Sequence, residues 1–183
     1  MELGLNGKVA LVTGSSRGIG RGIALAFAEA GCDLLLTGRD EVALEEVAKS
    51  VRGKGRKAAV RALDLREADA ADTLVEAARN ELGGLDILIN NAGTTKRGDF
   101  FALTDADWAD GYALKFFAHV RLARAAWPLL KERRGVLVFP PIGFTDEEQV
   151  DFTTTLVTFS PETPTKEIYK VTLDTSANAS ADY

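Results

Sequence analysis

The chain has little of what covalently or metal-stapled folds are built from. Cys32 is its single cysteine and His119 its single histidine, which excludes a disulfide framework and a His/Cys zinc cluster within one chain. The expectation is a small core residue for Cys32 and an ordinary helix residue for His119. No apolar run approaches the length of a membrane span. Met1-Glu2-Leu3-Gly4 carries neither the basic nor the apolar region of a secretion signal, so the cytoplasm is the expected compartment. Positive charge is also in deficit. The 22 Lys and Arg against 27 Asp and Glu leave a net charge of −5, which offers no overall attraction to nucleic acid or to an anionic membrane surface. Neither is an expected partner. With 183 residues, 46% apolar and 27% charged, the sequence can bury the core of one globular domain.

What is present is an alternation. Short runs rich in leucine and β-branched residues at Val9 to Thr13, Asp33 to Thr37, Lys57 to Leu63, Leu85 to Asn90 and Gly135 to Phe139 read as strands. Helical patterns fill the gaps at Gly18 to Ala30, Glu41 to Arg52, Glu67 to Leu82 and Asp105 to Lys131. This rhythm predicts an α/β fold, a doubly wound parallel sheet truncated to about five parallel strands. After Phe139 the pattern changes. Pro140-Pro141 is a break, Asp146 to Gln149 is polar, and residues 150 to 159 and 167 to 173 read as a C-terminal β-hairpin turning at Ser160 to Pro164. The last ten residues lack apolar periodicity and are expected to fray. Residues 1 to 143 are therefore expected to form one α/β domain, and 144 to 183 an atypical β-rich tail packed on it. The hairpin, or a partner chain, would cover the exposed flank of the fifth strand.

The segment Thr13-Gly14-Ser15-Ser16-Arg17-Gly18-Ile19-Gly20 joins the first strand to the first helix. Gly14 permits a tight turn, and Gly18 and Gly20 remove side chains where a pyrophosphate and a neighbouring strand approach. The helix start directs unpaired N–H groups at the same spot, which suits an anion. A Walker-type loop is excluded because Gly20 is followed by Arg21-Gly22 rather than Lys-Ser/Thr. The arrangement is Rossmann-like. About twenty residues on, Thr37-Gly38-Arg39 puts a cation where an NAD site has a carboxylate. Arg39 with Arg17 could clamp a 2′-phosphate, which favours NADP over NAD. The alternative for Arg39 is a solvated loop residue paired with Asp40.

With Asp64-Leu65 after the third strand and Asn90-Asn91-Ala92-Gly93 after the fourth, the chain resembles a short-chain dehydrogenase/reductase over residues 5 to 139. The resemblance implies that Gly14, Ser16, Arg17, Gly18, Ile19 and Gly20 hold the pyrophosphate. It implies that Asp64 meets the adenine amine, Leu65 its ring, and Asn91 and Gly93 the adenosine ribose region. For Asn90 and Asn91 the alternative is that their amides tie strands together. An NADP-dependent oxidoreductase is implied, one that moves a hydride between nicotinamide and a carbonyl or alcohol substrate and binds no metal. Trp108 to Trp127 carries apolar residues at 108, 112, 116, 120, 123 and 127, a stripe expected to be mostly core, with Phe117 off that face. Similar helices in the family pair between subunits, which implies a homo-oligomer.

The family's proton-transfer set has no counterpart. It needs a tyrosine with a lysine four residues on, where a cation can stabilise the phenolate. Here Tyr112 is followed four on by Phe116 and Tyr169 by Leu173, while Tyr183 is the last residue. Pro140-Pro141 displaces the expected serine, and Lys115 stands where the family has a relay asparagine. No catalytic residue is assigned. Three readings stay open: an oxidoreductase with a rebuilt C-terminal part, a non-catalytic dinucleotide-binding or regulatory module, and a chimeric scaffold.

Overall fold

A computed structural model describes residues 4–94, 96 and 98–139, and the backbone of two further strands at 153–158 and 168–172. Five parallel strands form its centre: β1 (Val9–Thr13), β2 (Asp33–Gly38), β3 (Ala58–Ala62), β4 (Ile87–Ile89) and β5 (Val136–Phe139). They lie in the order β3-β2-β1-β4-β5. The chain steps outward from β1 to β3, then crosses back to place β4 on the other side of β1. That reversal opens a crevice at the carboxyl ends of β1 and β4, where ligands of such sheets bind.

Strand periodicity sends alternate residues to opposite faces. Ala10, Val12, Leu34 and Leu36 pack against α1 (Gly18–Glu29) and α2 (Glu41–Gly53) through Ala24, Ala28, Leu44 and Val47. Val9, Leu11, Leu35 and Leu88 face the other way, toward Leu74 and Ala78 of α3 (Ala70–Leu82) and Leu122 and Leu130 of α5 (His119–Arg133). Every residue of β1 is buried, as a central parallel strand covered on both sides requires.

Three expectations need correction. The helix expected from Glu67 begins at Ala70, because residues 64 to 67 first form a turn in which the Glu67 N–H donates to the Asp64 carbonyl at 3.0 Å. The long helix from Asp105 is continuous but irregular: α4 (Asp105–Tyr112) runs into a π-helical stretch at Ala113–Ala118 and then into α5. The aromatic stripe is not core. Tyr112 is 56% and Phe116 51% exposed, and Trp108, Val120 and Trp127 are also exposed, whereas Gly111, Leu114, Ala118, Leu122, Ala126 and Leu130 are buried. Small residues let this helix approach α3 and the sheet closely, so the bulky rings turn outward.

The hairpin is present as β6 (Thr153–Thr158) and β7 (Ile168–Thr172). β6 runs antiparallel to β5, with Val136 opposite Thr158 and Phe139 opposite Thr155, and β7 pairs with β6. The flank of β5 is thus covered by strand pairing. The readings for Pro140-Pro141, for Asp146 to Gln149, for the turn at 160 to 164, for the last ten residues and for the 143/144 boundary lie outside the described residues.

Cys32 is a core residue as expected. Its thiol lies 3.4 Å from the Leu5 carbonyl, and burial pushes its pKa up to about 11. A thiol that high is almost wholly protonated at pH 8 and so a poor nucleophile. Iodoacetamide at pH 8 is expected to leave the folded protein unmodified and to label Cys32 after unfolding in guanidinium chloride. Labelling at equal rates in both states, read by mass spectrometry, would contradict this.

Candidate functional site

The carboxyl ends of β1, β2 and β4 are stitched together by side chains of the loops that leave them. Thr13 Oγ1 donates to the Ile89 carbonyl at 3.1 Å and accepts from the Ala92 N–H at 2.8 Å. Asn91 Nδ2 donates to the Thr13 carbonyl at 2.9 Å. The tying role considered for Asn91 is therefore real. That considered for Asn90 belongs to its backbone, whose N–H donates to Val138 O at 3.0 Å; the Asn90 amide itself is buried with no partner among the described residues. Ser15, not singled out in the sequence, joins β1 to β2: its Oγ accepts from the Thr37 N–H at 3.1 Å and lies 3.3 Å from the Thr37 carbonyl. Its signal was weak, because serine is common in turns.

Within this frame the glycine turn is spatially constrained. Gly14 has φ +66°, in the left-handed region where a side chain is disfavoured. A Cβ on Gly20 would overlap the Gly14 carbonyl oxygen and lie 2.5 Å from Asn91 Nδ2. Only glycine lets α1 start this close to the end of β1. Arg17 occupies the N-cap position with extended backbone and supplies no side-chain cap, and the first turn of α1 has no acidic residue. The leading N–H groups of α1 are thus left for an external acceptor. α2 differs: Asp40 accepts from the Ala43 N–H at 3.0 Å.

Between the two helix starts lies an open cleft of about 690 Å³, lined by Ser16, Arg17, Arg39, Asp40, Glu41, Val42 and Ala43. Asp40 faces α2 as its cap, and neither Arg17 nor Arg39 has an ion-pair partner among the described residues. The sequence alternative, an Arg39–Asp40 pair, is not formed. Gly18 and Ile19 lie exposed in the first turn of α1.

Beyond β2, Asp64 sits in the turn after β3 with its carboxylate held by Arg66, and Leu65 is buried in the core beneath α5. Gly93 lies under the stem of Lys115, whose Cγ would be 3.1 Å from a Cβ at that position. Lys115 belongs to the π-helical stretch. His119 has more than a generic helix role: its Nε2 is 2.7 Å from the Ala92 carbonyl. Since a carbonyl can only accept, Nε2 carries the proton. Burial lowers the His119 pKa, with Lys115 acting in the same direction against the Ala92 bond, which favours a neutral imidazole. The structure thus gathers Gly14, Ser16, Arg17, Gly18, Ile19, Gly20 and Arg39 on one side of the crevice, and Asn91 and Gly93 at the end of β4. Asp64 and Leu65 lie in the loop after β3. Among the described residues no cluster of His, Cys, Asp or Glu could hold a metal ion, and no helix is long and apolar enough to cross a membrane.

The chain is 39% identical over 131 residues to an uncharacterized oxidoreductase of Mycobacterium tuberculosis, covering 72% of this chain and 50% of that one. It is 38% identical over 122 residues to 2-dehydro-3-deoxy-D-gluconate 5-dehydrogenase of Escherichia coli, covering 67% and 47%. The chain spans about half the length of these curated relatives. Among solved structures, L-sorbose reductase of Gluconobacter frateurii, complexed with NADPH and L-sorbose, superposes with a TM-score of 0.70 at 39% identity, over 73% of this chain and 51% of that one. Residues 8–140 match the family described as short chain dehydrogenase, and it is to this family of oxidoreductases that the chain belongs.

Proposed function

We propose that the chain binds NADP(H) across the carboxyl ends of its parallel strands, in the service of hydride transfer between nicotinamide and a carbonyl or alcohol substrate. One observation carries the choice of dinucleotide: Arg17 and Arg39 face a common cleft beside the glycine turn without ion-pair partners among the described residues. A 2′-phosphate would supply the missing charge. The residues fit such a ligand elsewhere too. The uncapped start of α1 beside Gly14, Ser16, Gly18, Ile19 and Gly20 suits the pyrophosphate. Asp64 offers an acceptor to the adenine amine, Leu65 follows it at the ring, and Asn91 and Gly93 border the ribose. Bound there, the nicotinamide ring supplies or accepts the hydride, and the solved NADPH complex of a relative supports the same cofactor.

A second reading, a module that holds the dinucleotide without turnover, is favoured by a specific feature of the whole sequence: no tyrosine has a lysine four residues on. Tyr169 and Lys170 are consecutive in the sequence rather than four apart. The proposed organisation is a dinucleotide-binding part over residues 1 to 143 and a β-rich tail after it, in a cytoplasmic protein. The outward face of α4 and α5, with Tyr112 and Phe116, would be covered by a second copy of the chain.

Fluorescence titration separates these readings. NADPH is expected to bind more tightly than NADH, and Arg39→Ala to weaken NADPH by roughly 10- to 100-fold while changing NADH by less than about twofold, the loss of a charge-assisted contact. Equal losses for both dinucleotides would remove Arg39 from 2′-phosphate recognition. Turnover of small ketones with NADPH selects the enzyme; binding without oxidation selects the module. Failure to bind either dinucleotide overturns the proposal.

A further inference from the structure

The turn between β3 and α3 is held by two arginines, Arg66 from within it and Arg121 from α5. Arg66 folds back so that Nη1 lies 3.2 Å from Asp64 Oδ1 and 3.0 Å from Oδ2, while its backbone N–H donates to Oδ1 at 2.9 Å. The other edge of the guanidinium meets α4, with Nε 2.9 Å from Asp110 Oδ1 and Nη2 donating to Oδ2 at 3.0 Å. Nη1 is shared between the two Asp64 oxygens and Nη2 makes the one hydrogen bond to Asp110, with Nε close to Oδ1 but not hydrogen-bonded. A single guanidinium thus bridges two carboxylates by charge-assisted contacts. Arg121 of α5 completes the grip by donating Nη2 to the carbonyls of Leu65 at 3.2 Å and Arg66 at 3.1 Å. The Arg66 side chain is only 21% exposed, whereas that of Asp64 is 30% exposed, so the carboxylate keeps an open side on which another donor can approach.

We propose that Arg66 is a positioning residue for purine recognition: anchored to α4 through Asp110, it aims the Asp64 carboxylate at the exocyclic amine of a bound adenine. This rests on the reading of Asp64 given under the proposed function. An ionised carboxylate only accepts hydrogen bonds, so it favours an amine and repels a carbonyl oxygen at the same place. Discrimination requires the carboxylate to stay where it is aimed. Without the Arg66 guanidinium the carboxylate keeps only the backbone N–H of residue 66 on Oδ1, its outer oxygen turns to water, and the two purines are distinguished less.

The test uses the full chain, with NADPH and its deamino analogue, in which hypoxanthine replaces adenine. The wild type is expected to bind NADPH about tenfold or more tightly than the analogue, a ratio consistent with one charge-assisted bond gained against one repulsion. Arg66→Ala is expected to bring that ratio below about threefold, and Arg66→Lys to restore part of it, since an ammonium can pair with Asp64 but cannot also fork onto Asp110. Asp110→Ala, which leaves Asp64 and Arg66 in place, is expected to give an intermediate ratio and serves if Arg66→Ala does not fold. A merely structural role weakens both dinucleotides alike and leaves the ratio at the wild-type value; that result overturns the inference. Asp64→Ala locates the failure. A ratio lost there but kept in the Arg66 and Asp110 variants sinks the role of Arg66 alone. A wild-type ratio of one, or one unchanged in Asp64→Ala, removes the reading of Asp64 and the inference with it.

Discussion

Gly20→Ala is expected to weaken NADPH binding severely and to destabilise the fold. The added methyl would meet the Gly14 carbonyl oxygen and Asn91 Nδ2. The first of these is backbone and cannot swing aside, so the start of α1 must shift away from β1. Overpacking of this kind costs about 1–3 kcal/mol. The shift also disturbs the Asn91 bond to Thr13, which joins the β4 loop to β1. Because the candidate anion site is made by the start of α1 beside Gly14, a displaced helix loses it, and an affinity loss of about 100-fold or more is expected, equivalent to about 2.7 kcal/mol. Gly22→Ala is the matched control. Nothing lies within 4 Å of a Cβ there, and the site is an exposed position inside α1. It is expected to raise stability by roughly 0.5–1 kcal/mol, since alanine is the better helix former, with affinity unchanged. Thermal melts and NADPH titrations of both variants check the pair. Wild-type affinity in Gly20→Ala would mean that the contact between turn and helix is not what shapes the site.

Asp86→Ala should cause a larger loss of stability, at the opposite end of the strands. Asp86 is 5% exposed and serves three donors: Val9 N–H at 2.9 Å, Lys8 Nζ at 3.2 Å and Arg133 Nη1 at 3.1 Å. Arg133 also donates to the Gly83 carbonyl, so one carboxylate fastens the starts of β1 and β4 to the end of α5. Removing it orphans the buried Val9 N–H, at about 1–3 kcal/mol, and strands two cations. Both cations are partly exposed and can hydrate, with side-chain exposures of 44% for Lys8 and 35% for Arg133. The total is therefore placed at about 2–4 kcal/mol, below the upper range for breaking a fully buried pair. A fall of roughly 5–15 °C in the melting midpoint is expected. Asp86 and Gly14 flank opposite ends of β1, about 16 Å apart at the usual strand rise, so NADPH affinity of the folded fraction should not change. An unfolding midpoint equal to that of the wild type in urea would show that hydration replaces the carboxylate without loss.

These two residues differ in how visible they are in the amino-acid order. Gly20 belongs to a local pattern, a glycine at fixed offset from Gly14 between a strand and a helix, and its role follows from how closely backbone must approach backbone. Asp86 belongs to no pattern. Its partners Lys8, Val9 and Arg133 are 78, 77 and 47 residues away, and nothing local marks the aspartate before a buried strand as their common acceptor. His119 and Ser15 were missed for the same reason, since their partners Ala92 and Thr37 lie across the sheet.

The helix from Asp105 shows a different limit. Its periodicity was readable, but both of its faces are apolar, and size suggested the wrong one. The aromatic stripe through Tyr112 and Phe116 looks more hydrophobic than the Gly111, Leu114, Ala118, Leu122 face that is actually buried. Distance between helix and sheet decides which side enters the core, and that distance is set by α3 and β4, not by the helix itself.

Taken alone, the amino-acid order determined the alternation of strands and helices, the parallel sheet, the glycine turn and the family, because each is encoded in spacings of a few residues that local sterics and hydrogen bonding translate directly into backbone shape. Tertiary structure alone decided which helix face is buried, that Arg39 stands clear of Asp40 beside Arg17, and that Arg66 bridges Asp64 to Asp110. Those outcomes depend on how elements distant in the chain compete for the same space and the same charges, and such competition is resolved only when the elements pack.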